Sequence, residues 1–98
     1  LCVTDFTEKI VALEPLEEKW RAFGWEVRRI DGHSHPALAG ALARRATPDA
    51  APLMVIADTV KGAGIPSISN VPLWHGQAPG PELADRCRAE LAAWRSRG

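Results

Sequence analysis

The apolar run at residues 53–57, Leu-Met-Val-Ile-Ala, is the feature that most constrains the fold of this chain. It carries no polar side chain on either face, as in a strand at the centre of a parallel sheet that helices cover on both sides. A central strand needs a neighbouring strand on each side, because an exposed edge would pair with other chains. The run therefore predicts an α/β fold with a parallel sheet.

The segment before this run predicts a helix. Leu16, Trp20 and Phe23 recur at helical spacing, so one face of the helix is expected to be buried. Pro15 suits the first helical position, and Gly24 suits the cap at the carboxyl end. These five residues place one amphipathic helix in front of the first strand.

A strand and a second helix are predicted next. Residues 25–30 alternate between apolar and polar side chains, which is typical of a strand. Ser34 is expected to cap a helix whose inward face carries Leu38, Ala41 and Leu42. Arg28 and Arg29, within the strand, are expected on a solvated or interface face.

The chain beyond the apolar run predicts a long loop and a last helix. Residues 61–79 carry glycine and proline throughout, without periodicity, and residues 80–82 start the helix. One face of that helix is expected to hold Leu83, Cys87, Leu91 and Trp94. The whole order corresponds to part of a doubly wound sheet, and two strands cannot complete one. The fold class is therefore an incomplete doubly wound parallel sheet with flanking helices, and the rest must come from elsewhere.

Composition excludes several classes of function. Twelve Lys and Arg balance twelve Asp and Glu in 98 residues, which gives no support for a nucleic-acid partner or an anionic membrane. No apolar run is long enough to span a bilayer. The two cysteines, Cys2 and Cys87, predict small buried groups in a reducing, cytoplasmic setting rather than a disulfide framework. The chain starts at Leu1 without a methionine, which predicts a processed subunit, a split protein or a piece of a longer chain.

The candidate site lies in the loop. Gly62 and Gly64 would let backbone N–H groups approach an anion, while Lys61 and His75 add a positive charge and a titratable group. Together they suit a phosphate or diphosphate. The residues alone leave open a strand-ending turn with a solvated lysine and a structural histidine. The spacing matches neither a Walker A loop nor a dinucleotide fingerprint.

Three segments resemble the first half of transketolase, in particular the short form encoded as two subunits. They are LEPLEEKWRAFGWEVRRIDGH at Leu13 to His33, ADTVKGAG at Ala57 to Gly64, and NVPLWHGQAP at Asn70 to Pro79. The resemblance implies that residues 1–98 form the carboxy-terminal part of the diphosphate-binding domain of a thiamine-diphosphate enzyme. It makes a zinc site at His33 and His35 improbable, because the DGH motif implies a structural turn.

The resemblance also implies a site. His75 corresponds to the histidine beside the thiamine diphosphate and is the implied catalytic residue. The implied cofactor-binding residues are Lys61, Gly62, Gly64, His75 and Val3. The backbone carbonyl of Leu1 is the implied ligand of the magnesium or calcium ion. The Gly-Asp-Gly metal motif and the catalytic glutamate of the pyrimidine-binding domain are expected on partner chains.

The implied activity is transfer of a two-carbon ketol unit between a ketose and an aldose, by a heteromeric complex. Thr4-Asp5-Phe6 replaces the family's IDG turn, and Ser34 and Ser69 replace acidic residues. These departures favour a specialised component that delivers the unit to an unusual acceptor, such as a carrier-protein thiol. A decarboxylating thiamine-diphosphate enzyme and a non-catalytic structural subunit stay open. A free-standing binding module is disfavoured, since its central strand would be exposed.

Overall fold

The computed structural model describes residues 4–43 and 50–97. They divide into two compact units. The sheet unit consists of the described residues from 13 to 59, and the loop–helix unit consists of residues 4–12 and 60–97. In chain order the elements are α1 (Thr7–Ile10), α2 (Leu16–Ala22), β1 (Glu26–Asp31), α3 (His35–Ala41), β2 (Leu53–Asp58), a 3₁₀ helix (Pro72–His75) and α4 (Pro81–Arg97).

The sheet unit confirms the predicted fold class. β1 and β2 pair in parallel, with a register that runs from Glu26 opposite Leu53 to Asp31 opposite Asp58. Helix α3 connects the two strands, as parallel pairing requires. Within the described residues these are the only two strands of the sheet, so β2 has one neighbour and its other edge is open. The origin of the missing strands stays a prediction.

Helix α2 forms where it was predicted, but its ends differ. Pro15 is the residue that precedes the first helical residue, not the first helical residue itself. Phe23 caps the helix at its carboxyl end and is 82% exposed, so the expectation that its side chain is buried was wrong. Gly24 follows with a φ of +87°, a conformation that favours glycine at a helix end. Trp20 packs edge to face against Trp25, with ring centroids 5.0 Å apart.

Helix α3 begins as predicted and ends one residue early. The Ser34 hydroxyl accepts a hydrogen bond from the Ala37 N–H at 3.2 Å and caps the helix. Ala41 is buried, at 5% exposure. Leu42 was predicted to face inward but is 69% exposed, because the helix ends at Ala41 and Leu42 lies outside its last turn. The cap at the start of α3 was therefore predicted correctly, whereas the burial of Leu42 at its end was not.

The loop–helix unit contains the long α4 that the sequence predicts. Leu83 and Cys87 are half-buried on it, whereas Leu91 and Trp94 are exposed. The loop before α4 contains a short 3₁₀ helix. Neither this helix nor α1 was predicted from the sequence. Across residues 4–43 and 50–97, no helix is both long and apolar enough to cross a membrane.

Candidate functional site

Two glycines shape the segment that follows β2. Gly62 has a φ of +76° and Gly64 a φ of +91°, a region that side-chain-bearing residues rarely adopt. A Cβ at Gly62 would lie 3.1 Å from the Ile68 carbonyl oxygen, and one at Gly64 would lie 3.1 Å from the Trp94 ring. Both positions therefore require glycine for conformation as well as for space.

The glycine loop, residues 61–70, is closed by its own hydrogen bonds. The Asn70 N–H donates to the Lys61 carbonyl at 2.9 Å, and Asn70 itself has a φ of +56°. The Ser69 hydroxyl lies 2.7 Å from the Gly62 carbonyl oxygen and 3.0 Å from that of Ile65. These bonds return the chain to its starting point, so that the residues on both sides of the loop lie close together.

Lys61 and His75 meet beside this loop. The 3₁₀ helix that ends at His75 follows directly after residues 70–71, and the Trp74 N–H donates to the Val71 carbonyl at 3.3 Å. The Lys61 ammonium nitrogen lies 2.6 Å from Nδ1 of His75. Lys61 is half-buried and His75 is exposed. The structure thus places in contact two side chains that the sequence assigned to one candidate site.

Helix α4 holds the glycine loop from one side. The Ser67 N–H donates to one Glu90 carboxylate oxygen at 3.0 Å, and the Ser67 hydroxyl donates to the other at 2.5 Å. These two bonds, the hydroxyl first, lower the pKa of Glu90. A cavity of about 170 Å³ lies between the loop and α4, with Glu90 and Trp94 in its wall. Sequence reasoning missed Glu90, because the only signal it used in α4 was the spacing of the apolar residues, to which Glu90 does not belong.

A second charged cluster lies in the sheet unit. Arg29 donates to both oxygens of Asp58 at 2.8 Å, and to both oxygens of Glu14 at 3.0 and 3.2 Å. These bonds raise the pKa of Arg29 and lower those of Asp58 and Glu14, and the Leu16 N–H adds to the effect on Glu14. Arg29 is exposed, in agreement with the expected solvated face, and from there it crosslinks two strands and the segment before α2.

Two of the expected site residues, Leu1 and Val3, lie outside the described residues. Over residues 4–43 and 50–97, no group of three or more His, Cys, Asp or Glu side chains is placed to hold a metal ion. His33 belongs to the turn after β1, where its backbone N–H donates to the Asp31 carboxylate at 2.8 Å.

The chemistry of the glycine loop fits a phosphate group. Lys61 carries donors and no acceptor, and a histidine ring nitrogen can also donate to an oxygen. Gly62 and Gly64 have positive φ values, and turns with such residues can direct backbone N–H groups toward an anion. These residues suit the diphosphate of a cofactor. Val60, which precedes Lys61, and Leu73, in the 3₁₀ helix, are both exposed.

Comparison with known proteins identifies relatives, although no family model matches the chain. A 6-deoxy-6-sulfo-D-fructose transketolase subunit from Clostridium sp. is 42% identical over 62 residues, which cover 63% of this chain and 22% of the relative. An apulose-4-phosphate transketolase subunit from Actinobacillus succinogenes is 36% identical over 91 residues, 93% of this chain and 33% of the relative. Transketolase-like protein 2 from Bos taurus is 41% identical over 64 residues, 65% of this chain and 10% of the relative.

The chain thus spans between about a tenth and a third of the length of these relatives. The second match extends over nearly all of this chain and includes both units.

Proposed function

The chain belongs to the transketolase family, and we propose from this that it forms part of the thiamine-diphosphate site of a two-carbon ketol transferase. The observation that carries the proposal is the contact of Lys61 with His75 beside the glycine loop, at 2.6 Å. A strand-ending turn with a solvated lysine would not require that contact. Residues 1–98 are then the carboxy-terminal part of the diphosphate-binding domain.

Each residue has a defined part in this proposal. Lys61 offers a positive charge to the diphosphate, and Gly62 and Gly64 let the backbone approach it. His75 is the catalytic residue, which stabilises developing negative charge on the substrate or moves a proton. Bound thiamine diphosphate supplies the nucleophilic carbon that allows cleavage of a ketose beside its carbonyl.

The proposal extends to two residues outside the described part of the chain. From the family resemblance, Val3 packs near the cofactor rings and the Leu1 carbonyl binds the magnesium or calcium ion. The remaining metal ligands, including the Gly-Asp-Gly motif, come from partner chains, as does the pyrimidine-binding domain.

Partner chains are supported by the names of two relatives and by the described sheet. Both relatives are, by name, subunits of a transketolase. In the described part of the sheet, β2 lacks a neighbour on one side. Both relatives act, by name, on sugars that bear an anionic group, which supports a ketose substrate of that kind. Two widely separated cysteines support a cytoplasmic setting.

Titration calorimetry tests the proposal. The sample is the assembled protein, meaning the full chain purified with the chains that co-purify with it. We expect it to bind thiamine diphosphate in the presence of magnesium. His75→Ala and Lys61→Ala should each weaken binding at least about tenfold, a change of about 1.4 kcal/mol. His35→Gln is the matched control, since His35 lies at the start of α3 in the sheet unit.

The same sample separates the competing functions. Ketol transfer from a ketose to an aldose supports the proposal, while transfer only to a carrier-protein thiol supports the specialised component. If the assembled protein shows neither binding heat nor cofactor by mass spectrometry, the chain has only a structural role and the proposal fails.

A further inference from the structure

The Lys61–His75 contact indicates which nitrogen of the imidazole ring carries the proton. The ammonium nitrogen lies 2.6 Å from Nδ1, which is within hydrogen-bond distance. A lysine ammonium has three donors and no acceptor, so Nδ1 must be the acceptor in this contact. A nitrogen that accepts a hydrogen bond carries no proton, and the single proton of a neutral ring then lies on Nε2.

We propose that Lys61 is a positioning residue that holds His75 in the tautomer protonated at Nε2. The other tautomer would place the Nδ1 proton against the ammonium protons, and two donors that face each other form no hydrogen bond. The contact therefore selects one of the two neutral tautomers of the ring.

Hydrogen bonds hold the backbone on both sides of this contact. Lys61 is anchored through its carbonyl, which accepts from the Asn70 N–H at 2.9 Å. His75 is anchored as the last residue of the 3₁₀ helix, which starts two residues after Asn70. Both side chains thus extend from restrained backbone that one hydrogen bond connects, and the loop between them adds little freedom to their separation.

The tautomer fixes which ring nitrogen of His75 can donate a hydrogen bond to a ligand. With Nδ1 occupied by Lys61, Nε2–H is the only donor of the ring, and a donor suits a phosphate or a developing oxyanion. This role in the site rests on the proposed function, whereas the tautomer itself depends only on the contact. Lys61 then acts on the substrate region through His75, in addition to any charge that it offers to the diphosphate.

Magic-angle-spinning NMR of the assembled protein, with ¹⁵N-labelled lysine and histidine and without added cofactor, tests the inference. His75→Gln identifies the His75 signals among those of the three histidines. We expect an unprotonated Nδ1, a protonated Nε2 and a cross-peak between Lys61 Nζ and His75 Nδ1. Lys61→Met should abolish the cross-peak, shift the Nδ1 signal and introduce a second protonation form. Lys9→Met, in an exposed ion pair with Asp5, should leave the His75 signals unchanged.

A protonated Nδ1 in the unsubstituted protein would overturn the inference, as would unchanged His75 signals in Lys61→Met. Neither result depends on the cofactor, because any thiamine diphosphate that co-purifies is removed from these samples before the measurement. Failure of the proposed function would appear instead as absent binding heat in the calorimetry, so the two outcomes are distinguishable.

Discussion

Arg29 on β1 and Asp58 at the end of β2 form a two-point ion pair across the parallel sheet, with Nε and Nη2 each 2.8 Å from a carboxylate oxygen. The same guanidinium reaches Glu14, ahead of α2. A planar guanidinium suits this geometry, which a lysine would not reproduce. One side chain thus connects three segments of the sheet unit.

This cluster predicts a pH-dependent stability. Because Arg29 lowers the pKa of Asp58 and of Glu14, both carboxylates contribute stability above their unfolded-state pKa values of about 4. The contribution is lost as the pH falls through the lower folded-state values. Arg29→Met should therefore destabilise the assembled protein at pH 7, and the difference should shrink at a pH well below the ordinary carboxylate range. Urea unfolding at both pH values measures it.

Arg88→Met is the matched control for that prediction. Arg88 pairs with Asp85 on α4, where both side chains are largely exposed. An exposed pair contributes at most about 1 kcal/mol. An Arg29→Met difference that did not depend on pH would contradict the assigned role of the carboxylates.

A second prediction concerns Gly32, in the turn after β1. A Cβ there would lie 2.6 Å from Cγ2 of Thr59 and 2.9 Å from the Asp58 carbonyl oxygen, which belongs to the backbone and cannot rotate away. Gly32→Ala should lower the free energy of unfolding by about 1–3 kcal/mol through overpacking. Gly40→Ala, in α3 with open space around it, should be neutral or stabilising. Equal effects in denaturant unfolding would show that the close approach at Gly32 is not real.

A third prediction concerns the conformation of the glycine loop. Gly62→Ala places a side chain at a φ of +76° and 3.1 Å from a carbonyl oxygen, at a cost of about 1–3 kcal/mol. If the loop binds the diphosphate, affinity for thiamine diphosphate should fall about tenfold or more. Gly80→Ala adds a methyl group in open space and should bind normally. Calorimetry on the assembled protein compares the affinities of the two variants for thiamine diphosphate. Unchanged affinity in Gly62→Ala would show that the loop does not bind the diphosphate.

The fourth prediction concerns Glu90, which holds the loop through Ser67. Glu90→Gln replaces a charged acceptor with a weaker neutral one, so the Ser67 amide should exchange its hydrogen faster. The two Ser67–Glu90 hydrogen bonds form a clasp that needs the ionised carboxylate, and they lower the pKa of Glu90. In the unsubstituted protein the clasp should therefore persist until the pH falls below the ordinary glutamate range. Hydrogen exchange followed by mass spectrometry measures the local change.

Glu82→Gln, in the exposed first turn of α4, is the control for Glu90. It should leave exchange in the glycine loop unchanged. Equal exchange of the Ser67 segment in all three proteins would show that the clasp does not restrain the loop.

The predicted elements were those that depend on close neighbours in the chain. The Ser34 cap is made by an N–H three residues later, and the glycine at residue 24 follows its own helix directly. Gly62 and Gly64 were singled out because glycine lets an anion approach the backbone closely, and the structure adds that both have a positive φ. The buried faces were predicted less well, as Phe23 and Leu42 show, because burial depends on what packs against a helix end.

The sequence by itself determined the α/β class, the order of the main elements, the glycine positions and the resemblance to transketolase. Only the tertiary structure decided which polar groups meet. Lys61 contacts His75 across 14 residues, Glu90 contacts Ser67 across 23, and Arg29 contacts Asp58 across 29. Periodicity and capping act within a few residues, whereas these contacts require loops to close and strands to pair. That is why Lys61 and His75 were visible in the sequence as candidate residues, whereas Glu90 and all three pairings were not.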